Sequence, residues 1–194
     1  MEKEKMKTKE LILAGAFVAL YVVALSILVT ILGFVPVLYL IVPFLLPIAL
    51  APIFNLYVTK VPRFGAIIVL GVAVVLVADM ASGITAIAWG LFVTLIAEFI
   101  ARSGQYQSKK KYSIAYIFFA LTNVGPLFAL LFVKDKFLNN LTLFYGEEYA
   151  AKFDAITPDW IVFALIGMAL VGGVIGGIFG RKVMKKHFEK AGIV

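Results

Sequence analysis

The stretch LILAGAFVALYVVALSILVTILG, residues 11–33, carries no charged side chain over its whole length. An α-helix rises about 1.5 Å per residue and the hydrocarbon core of a bilayer is about 30 Å thick, so about 20 apolar residues in a row can cross it. The stretch therefore predicts a transmembrane helix, and it decides the class of the whole chain.

Further apolar segments continue this pattern to the end of the chain. Of its 194 residues, 63% are hydrophobic and only 15% are charged, which is far outside the range of soluble domains. The segments lack the alternation of barrel strands, and a helix satisfies its own backbone hydrogen bonds in lipid. We predict an all-α integral membrane protein, a single domain over 1–194, with six transmembrane helices at 11–33, 36–56, 64–80, 84–101, 113–133 and 158–183.

Two segments are irregular. The N-terminal MEKEKMKTKE and the run after it imitate a signal peptide, but the run is long and lacks a convincing A-x-A cleavage site, so we interpret it as a retained first span. The second segment contains four prolines, which predict a kinked or partly re-entrant helix: Pro36, Pro43, Pro47 and Pro52.

The basic residues predict the orientation. Six spans put both termini on one side, and that side would carry 15 of the 18 lysines and arginines, leaving Lys134, Lys136 and Lys152 on the other. By the positive-inside rule, both termini are then cytoplasmic. The net charge of +7 is explained by the lysines and arginines of the cytoplasmic side, which set the topology and attract anionic lipid. It does not indicate nucleic-acid binding.

The predicted external side has one long connection, residues 134–159, between the fifth and sixth spans. A connection of this length in a small protein is usually functional, and this one mixes aromatic and charged residues. It is either a lid over a site or a helix lying on the bilayer surface.

Asp79 is a carboxylate near the predicted external end of the third span. Such a group should face protein or water, because a charge inside lipid is unfavourable by a few kcal/mol. One interpretation places Asp79 at the mouth of a ligand or ion cavity. The other makes Asp79, with Ser82, a cap of the fourth helix.

Asn123 is the second polar group deep in an apolar span. With Thr122, Gly125 and Pro126 it predicts a locally opened helix that contributes to a pocket; the alternative is an asparagine that bonds across helices beside a plain proline kink. Aromatic residues near external span ends are either interfacial anchors or further pocket residues: Tyr39, Trp89 and Trp160.

At the predicted cytoplasmic end, Glu98 and Arg102 stand one helical turn apart, in the favourable order for a helix salt bridge. We interpret them as a structural pair in preference to a proton relay. His187 lies in the charged tail and is most simply a solvated residue.

Small residues mark two helices. Gly15 and Ala19 fall at i and i+4, with Ala16 beside them, so the first helix has one face that another helix can approach closely. In the sixth span, Gly172, Gly176 and Gly180 form two G-x-x-x-G steps. We expect the sixth-span glycines to pack within the bundle, whereas the first helix suits a second subunit equally well.

Several chemistries find no support in the sequence. It has no cysteine and one histidine, so thiolate nucleophiles and common metal sites are missing, and we expect no cofactor. It also lacks a phosphate-binding G-x-x-x-x-G-K-[ST] loop, a G-x-S-x-G elbow and an H-E-x-x-H motif. We predict a protein without its own ATPase or other enzymatic activity.

Three stretches resemble one family: TKELILAGAFVALY, AEFIARSGQYQSKKKYSIAY and GGVIGGIFGRKVMKKHFEKAGIV. They are similar to the substrate-binding S components of energy-coupling factor (ECF) transporters, within the MptD group, also described as the Trep_Strep membrane proteins. The resemblance implies a six-helix plasma-membrane protein that captures a vitamin-like or other micronutrient small molecule from outside. It would then dock on a T subunit driven by two ATP-binding A subunits.

The same resemblance implies roles for residues already singled out. The small face of the first helix, Gly15, Ala16 and Ala19, matches the face that the family presents to the T subunit, with a glycine in place of one alanine. The family's substrate pocket lies in the outer half, closed by the external loops, and topology places Asp79, Asn123, Tyr39 and the connection 134–159 there. One acid, one amide and several aromatics suit a flat heteroaromatic compound or a tetrapyrrole, although the ligands that haem prefers are scarce. Alternatives are a stand-alone transporter or facilitator and a small membrane enzyme or assembly factor.

Overall fold

The computed structural model describes residues 8–189 and is helical over nearly all of them. Four of the 15 basic residues assigned to the cytoplasmic side, Lys3, Lys5, Lys7 and Lys190, lie outside the described residues, as does the side chain of His187. Within this range the α-helices, in chain order, are α1 Thr8–Gly33, α2 Pro36–Lys60, α3 Ala66–Ala78, α4 Ile84–Ser103, α5 Lys109–Ala120, α6 Gly125–Phe128, α7 Lys134–Tyr145, α8 Glu147–Ala155 and α9 Ile161–Val183.

Five helical segments of the described chain are long and apolar enough to cross a membrane: Thr8–Gly33, Pro36–Lys60, Ile84–Ser103, Lys109–Leu131 and Ile161–Lys186. The sequence predicts a further span at 64–80, but α3, found there, has only 13 residues. It is about 20 Å long, less than the roughly 30 Å of the hydrocarbon core. A turn at Gly65, with φ of 92°, delays the start of α3, so this apolar segment is only partly helical.

Contacts between helix ends define two ends of the bundle. At one end, the backbone N–H of Ile68 in α3 donates to Glu98 of α4 at 3.1 Å, and Arg63 pairs with Glu10 of α1 at 3.1 Å. We call this the basic end, because α2 finishes here at Lys60. At the opposite end, the loop end, α3 finishes beside α4 and the pair α7–α8 lies across the bundle.

Helix α2 runs unbroken from Pro36 to Lys60 with three prolines inside it, so the predicted re-entrant segment is not found. Each internal proline leaves one carbonyl without its usual helical partner. A separate bond joins α2 to a neighbouring helix: the hydroxyl of Tyr116 in α5 donates to the carbonyl of Pro47, which is not one of the carbonyls that the prolines free.

Helix α9 packs its backbone directly on α2. A Cβ atom added to Gly172 would come within 2.4 Å of the Phe44 carbonyl oxygen, and one added to Gly176 would come within 2.2 Å of that of Pro47. Gly180 approaches Ala51 in the same way, at 3.0 Å. The three glycines therefore lie between two helices of the same chain, where only a hydrogen atom fits.

Helix α1 is the least buried of the five long apolar segments. It packs through a narrow stripe that contains Ala14, Tyr21 and Leu25, all buried. Most of its remaining surface is exposed, so α1 borders the bundle along one side only.

Candidate functional site

A cavity of about 230 Å³ lies in the half of the bundle near the loop end. Its walls come from α1, α2, the last turns of α3 and the segment 121–131 that continues α5. Thr30 of α1 and Val77 of α3 both line the cavity and are both exposed, so the cavity opens where α1 and α3 border it. The polar residues that line it are neutral: Ser26, Thr30, Tyr39, Thr122 and Asn123.

The segment 121–131 forms one wall of this cavity and departs from a regular helix. Two 3₁₀ turns, Leu121–Val124 and Ala129–Leu131, flank the single α-turn α6. Pro126 cannot donate a backbone hydrogen bond, and 3₁₀ geometry re-pairs the groups that it disturbs. The predicted local opening is thus a change of helix type.

Side chains satisfy the carbonyls at the start of this segment. Thr122 donates to the Phe119 carbonyl at 2.8 Å and Asn123 Nδ2 to that of Ala120 at 2.9 Å. The Oδ1 atom of Asn123 is buried with no hydrogen-bond partner among the residues described. Asn123 therefore offers a free acceptor beside the cavity that it lines.

Tyr39 and Asn123, two of the predicted pocket residues, meet at this cavity. Trp89 packs behind the wall: its ring stacks on Phe128 at 4.3 Å, and Nε1 donates to the Leu121 carbonyl at 2.9 Å. Trp160 is 62% exposed at the start of α9. Trp89 thus supports the wall, while Trp160 lies at the surface, as an interfacial anchor would.

Asp79 has neither of the two positions that the sequence allows. Its side chain is 0% exposed and is not part of the cavity lining, and it makes no capping hydrogen bond at the start of the next helix. Its carboxylate lies between Gly90 of α4 and Gly125, where added Cβ atoms would come within 2.5 Å and 2.4 Å of its oxygens. Asp79 is therefore enclosed in a seam beside the cavity.

The connection 134–159 forms two helices that cover the loop end. Phe153 of α8 packs against Tyr39 with 5.9 Å between ring centroids, and the Tyr149 hydroxyl donates to the Gly33 carbonyl at 2.7 Å. On the other side, Asn140 of α7 donates to the Ala81 carbonyl at 3.2 Å. The pair thus spans from the α1–α2 turn to the α3–α4 turn, which is the placement of a lid.

The same pair of helices carries charge and exposed apolar surface. Lys134 binds Asp154 at 2.7 Å, and a hydrogen bond from Lys152 lowers the pKa of the exposed Glu148 carboxyl. Leu143 and Phe144, at the tip of α7, are almost fully exposed. The predicted surface-helix character is therefore present together with the lid position.

At the basic end, no ion pair joins Glu98 to Arg102 in the described part of the chain, which differs from the predicted salt bridge. Glu98 is fully buried and accepts hydrogen bonds from Ile68 N–H and from the Tyr106 hydroxyl at 2.8 Å. Arg102 instead lies 5.2 Å from the centre of the Phe64 ring. Burial of Glu98 among neutral donors explains the difference, because backbone and phenol groups satisfy its oxygens without a cation.

The small face of α1 lies away from the cavity and is open. Gly15, Ala16 and Ala19 are exposed, and an added Cβ at Gly15 would meet nothing within 4 Å. Since none of the described residues covers this face, it is available to another helix or to lipid.

Two polar cavity residues were not predicted, although their spacing in the sequence could have indicated them. Ser26 and Thr30 are hydroxyl residues at i and i+4 of α1, so they share one face of a helix that is otherwise apolar. The enclosure of Asp79 had no comparable signal, because Gly90 and Gly125 are single glycines on different helices. Within the described residues, no group of three His, Cys, Asp or Glu side chains is placed to hold a metal ion.

The apolar helices define a multi-pass integral membrane protein. Residues 8–190 match the family described as "Hypothetical bacterial integral membrane protein (Trep_Strep)", and the chain belongs to that family. No curated protein and no solved structure matches the chain.

Proposed function

We propose that this protein is the substrate-binding S component of an ECF-type importer, and that it captures a small molecule from the external side. The observation that supports this most is the cavity of about 230 Å³ in the half of the bundle near the loop end, whose polar lining groups are neutral. Helices α7 and α8 lie across that end, bonded to Gly33 and Ala81. Ligand sites are commonly concave and mostly apolar, with a few polar groups that fix orientation. The lid, in this proposal, is the external gate.

The proposed orientation has six crossings, with both termini in the cytoplasm. The described basic residues support it, because Lys60, Arg63 and Arg102 meet at the basic end, whereas Lys134, Lys136 and Lys152 belong to the lid helices. The positive-inside rule then makes the basic end cytoplasmic. In this arrangement α3 crosses as a short helix extended by the turns at its two ends.

The cavity also favours a class of ligand. Its volume of about 230 Å³ is below the roughly 300–1,000 Å³ typical of drug-sized ligands, so a small heterocyclic nutrient suits it better than a tetrapyrrole. None of its lining residues is charged, which disfavours a carboxylate or phosphate ligand, since a buried anion needs a partner. The free acceptor on Asn123 would take a hydrogen bond from the ligand.

Dependence on an ATPase tests the class of transporter. We expect the chain to co-purify with a T subunit and two A subunits from cells that express it, and uptake to stop when the A subunits carry a Walker A lysine substitution. Uptake that continues at the unsubstituted rate would contradict the proposal and favour a stand-alone facilitator. The mass of any compound that co-purifies, read by native mass spectrometry, would identify the ligand.

The role of the cavity is tested by filling it. Ser26→Phe places a ring in the cavity, so we expect the co-purified compound to be lost while the protein still folds. Ile27→Phe is the matched control, because Ile27 is the next residue of α1, is exposed and is not part of the lining. Equal ligand occupancy in both variants, measured by native mass spectrometry, would show that the ligand binds elsewhere.

A further inference from the structure

The seam around Asp79 is a second polar site, distinct from the cavity. Asp79 follows the last residue of α3 and packs between Gly90 of α4 and Gly125 of the segment 121–131. It is fully buried, and neither carboxylate oxygen has a hydrogen-bond partner within the described range. A carboxylate thus lies inside the protein with no donor to balance it.

Two sources of negative charge meet in the seam, the Asp79 carboxylate and the carbonyl end of α3. An isolated buried carboxylate is unfavourable by several kcal/mol unless a counter-charge accompanies it. The carbonyl groups that end α3 carry the negative end of the helix dipole, so they repel an anion and attract a cation. Asp79 and the carbonyl end of α3 therefore both favour a bound cation.

The seam carries a single carboxylate. Within the described residues, Asp79 belongs to no group of three His, Cys, Asp or Glu side chains that could hold a metal ion. One carboxylate together with the carbonyl oxygens at the end of α3 suits a monovalent cation, whereas divalent sites in proteins usually collect several carboxylates.

We propose that Asp79 is the binding site of a monovalent cation, either sodium or a proton, in the seam between α3, α4 and the segment 121–131. This goes beyond the proposed function, because it concerns a site that the organic ligand does not occupy. The glycines at 90 and 125 let both backbones approach the carboxylate, which encloses the cation away from lipid.

The site is positioned to influence the ligand cavity. Gly125 touches Asp79, and its neighbours Asn123 and Pro126 line the cavity. Loss of the cation would leave an unpaired charge against Gly125 and push the segment 121–131 away. Cation binding and ligand binding would then favour each other reciprocally, as linkage requires.

The test uses the purified full-length protein in detergent and needs no transport partner. Sodium chloride is replaced stepwise by choline chloride at constant ionic strength and pH while thermal unfolding is followed. A cation that binds only the folded state raises the unfolding midpoint, and for a chain of this size we expect a rise of about 2–4 °C in saturating sodium. Asp79→Asn should abolish the rise, and Asp135→Asn, which changes an exposed carboxylate of α7, should keep it.

A pH series without sodium distinguishes the proton. Asp79 interacts electrostatically with Tyr39 of α2, while α4 and the segment 121–131 present glycine to Asp79. If the proton is the cation, the wild type and Tyr39→Phe should both lose stability as pH rises, whereas Asp79→Asn should not show this dependence. The infrared spectrum of the wild type should also contain a protonated-carboxyl band that the spectrum of Asp79→Asn lacks.

Two direct measurements on the wild type keep the proposal falsifiable if Asp79→Asn fails to fold. Equilibrium dialysis with radioactive sodium should give about one bound ion per chain, or, if the proton is the cation, the protonated-carboxyl band should disappear as pH rises. No sodium effect, no bound sodium and no pH-dependent carboxyl band would overturn the proposal. Because these measurements involve no ATPase, their failure is separate from a failure of the proposed importer function.

Discussion

Gly176→Ala is expected to destabilise the folded protein by about 1–3 kcal/mol, the usual range for overpacking a well-packed interior. The added methyl group would lie 2.2 Å from the Pro47 carbonyl oxygen, far inside van der Waals contact. That atom belongs to the backbone, so a change of side-chain rotamer cannot relieve the clash. Only a separation of α2 and α9 can relieve the clash. These two helices make the most extensive contact among the described helices. Thermal unfolding in detergent, followed by circular dichroism, measures the effect.

Two other glycines of α9 are matched controls for this substitution. Gly167 is exposed with nothing within 4 Å of an added Cβ, and Gly177 has its nearest neighbour at 3.9 Å. Alanine at either position should be neutral or slightly stabilising, because alanine favours a helix by up to about 1 kcal/mol over glycine. An equal loss of stability in all three variants would contradict the prediction, because it would mean that the close contact with α2 does not distinguish Gly176 from the other two glycines.

The contrast within α9 shows how much of the fold the sequence could predict. The G-x-x-x-G steps predict a close helix contact, and Gly172, Gly176 and Gly180 do lie against another helix. The spacing carries no information on the partner, since any helix with an accessible backbone would serve. That α9 meets α2 follows from the three-dimensional arrangement, in which the proline-containing α2 presents carbonyls toward it.

For the third predicted span, in contrast, the sequence pattern was misleading about the length of the helix. Hydropathy alone predicts a full crossing at 64–80, since the segment is apolar from Phe64 to Ala78 with few interruptions. The structure begins the helix only at Ala66, after the left-handed turn at Gly65. A sliding measure of hydropathy counts apolar residues whether or not they are helical, so it overestimates the length of this helix.

Hydropathy predicted which polar residues of the spans are unusual, but not which of them line the cavity. Asn123 and Tyr39 stand out because each is polar in an apolar span, and both line the cavity. Asp79 stands out equally but faces a seam on the other side of α3 from the cavity wall formed by Val74, Val77 and Ala78. The direction of a side chain at a helix end depends on the last turn and its neighbours, and the sequence does not specify these.

Leucine at Gly15 or Ala19 is expected to abolish uptake while ligand binding survives. Both residues lie on the exposed small face of α1, which packs on the bundle through a different stripe. Small residues allow two helix backbones to approach closely, and a leucine would hold a docking helix away. The cavity should be unaffected, because its α1 residues begin at Leu25, well beyond both positions. Uptake into cells and ligand occupancy of the purified variant are the paired measurements.

Ala88→Leu provides the matched control, since it makes the same change at an exposed position of α4. We expect this variant to transport normally, because added bulk that faces lipid meets no protein surface. The proposal of a docking face on α1 would be contradicted if Gly15→Leu and Ala19→Leu lost ligand binding together with uptake, because the two residues would then serve only the internal fold. Co-purification with the T subunit separates the cases further: a docking defect should remove the T subunit from the α1 variants and retain it with Ala88→Leu.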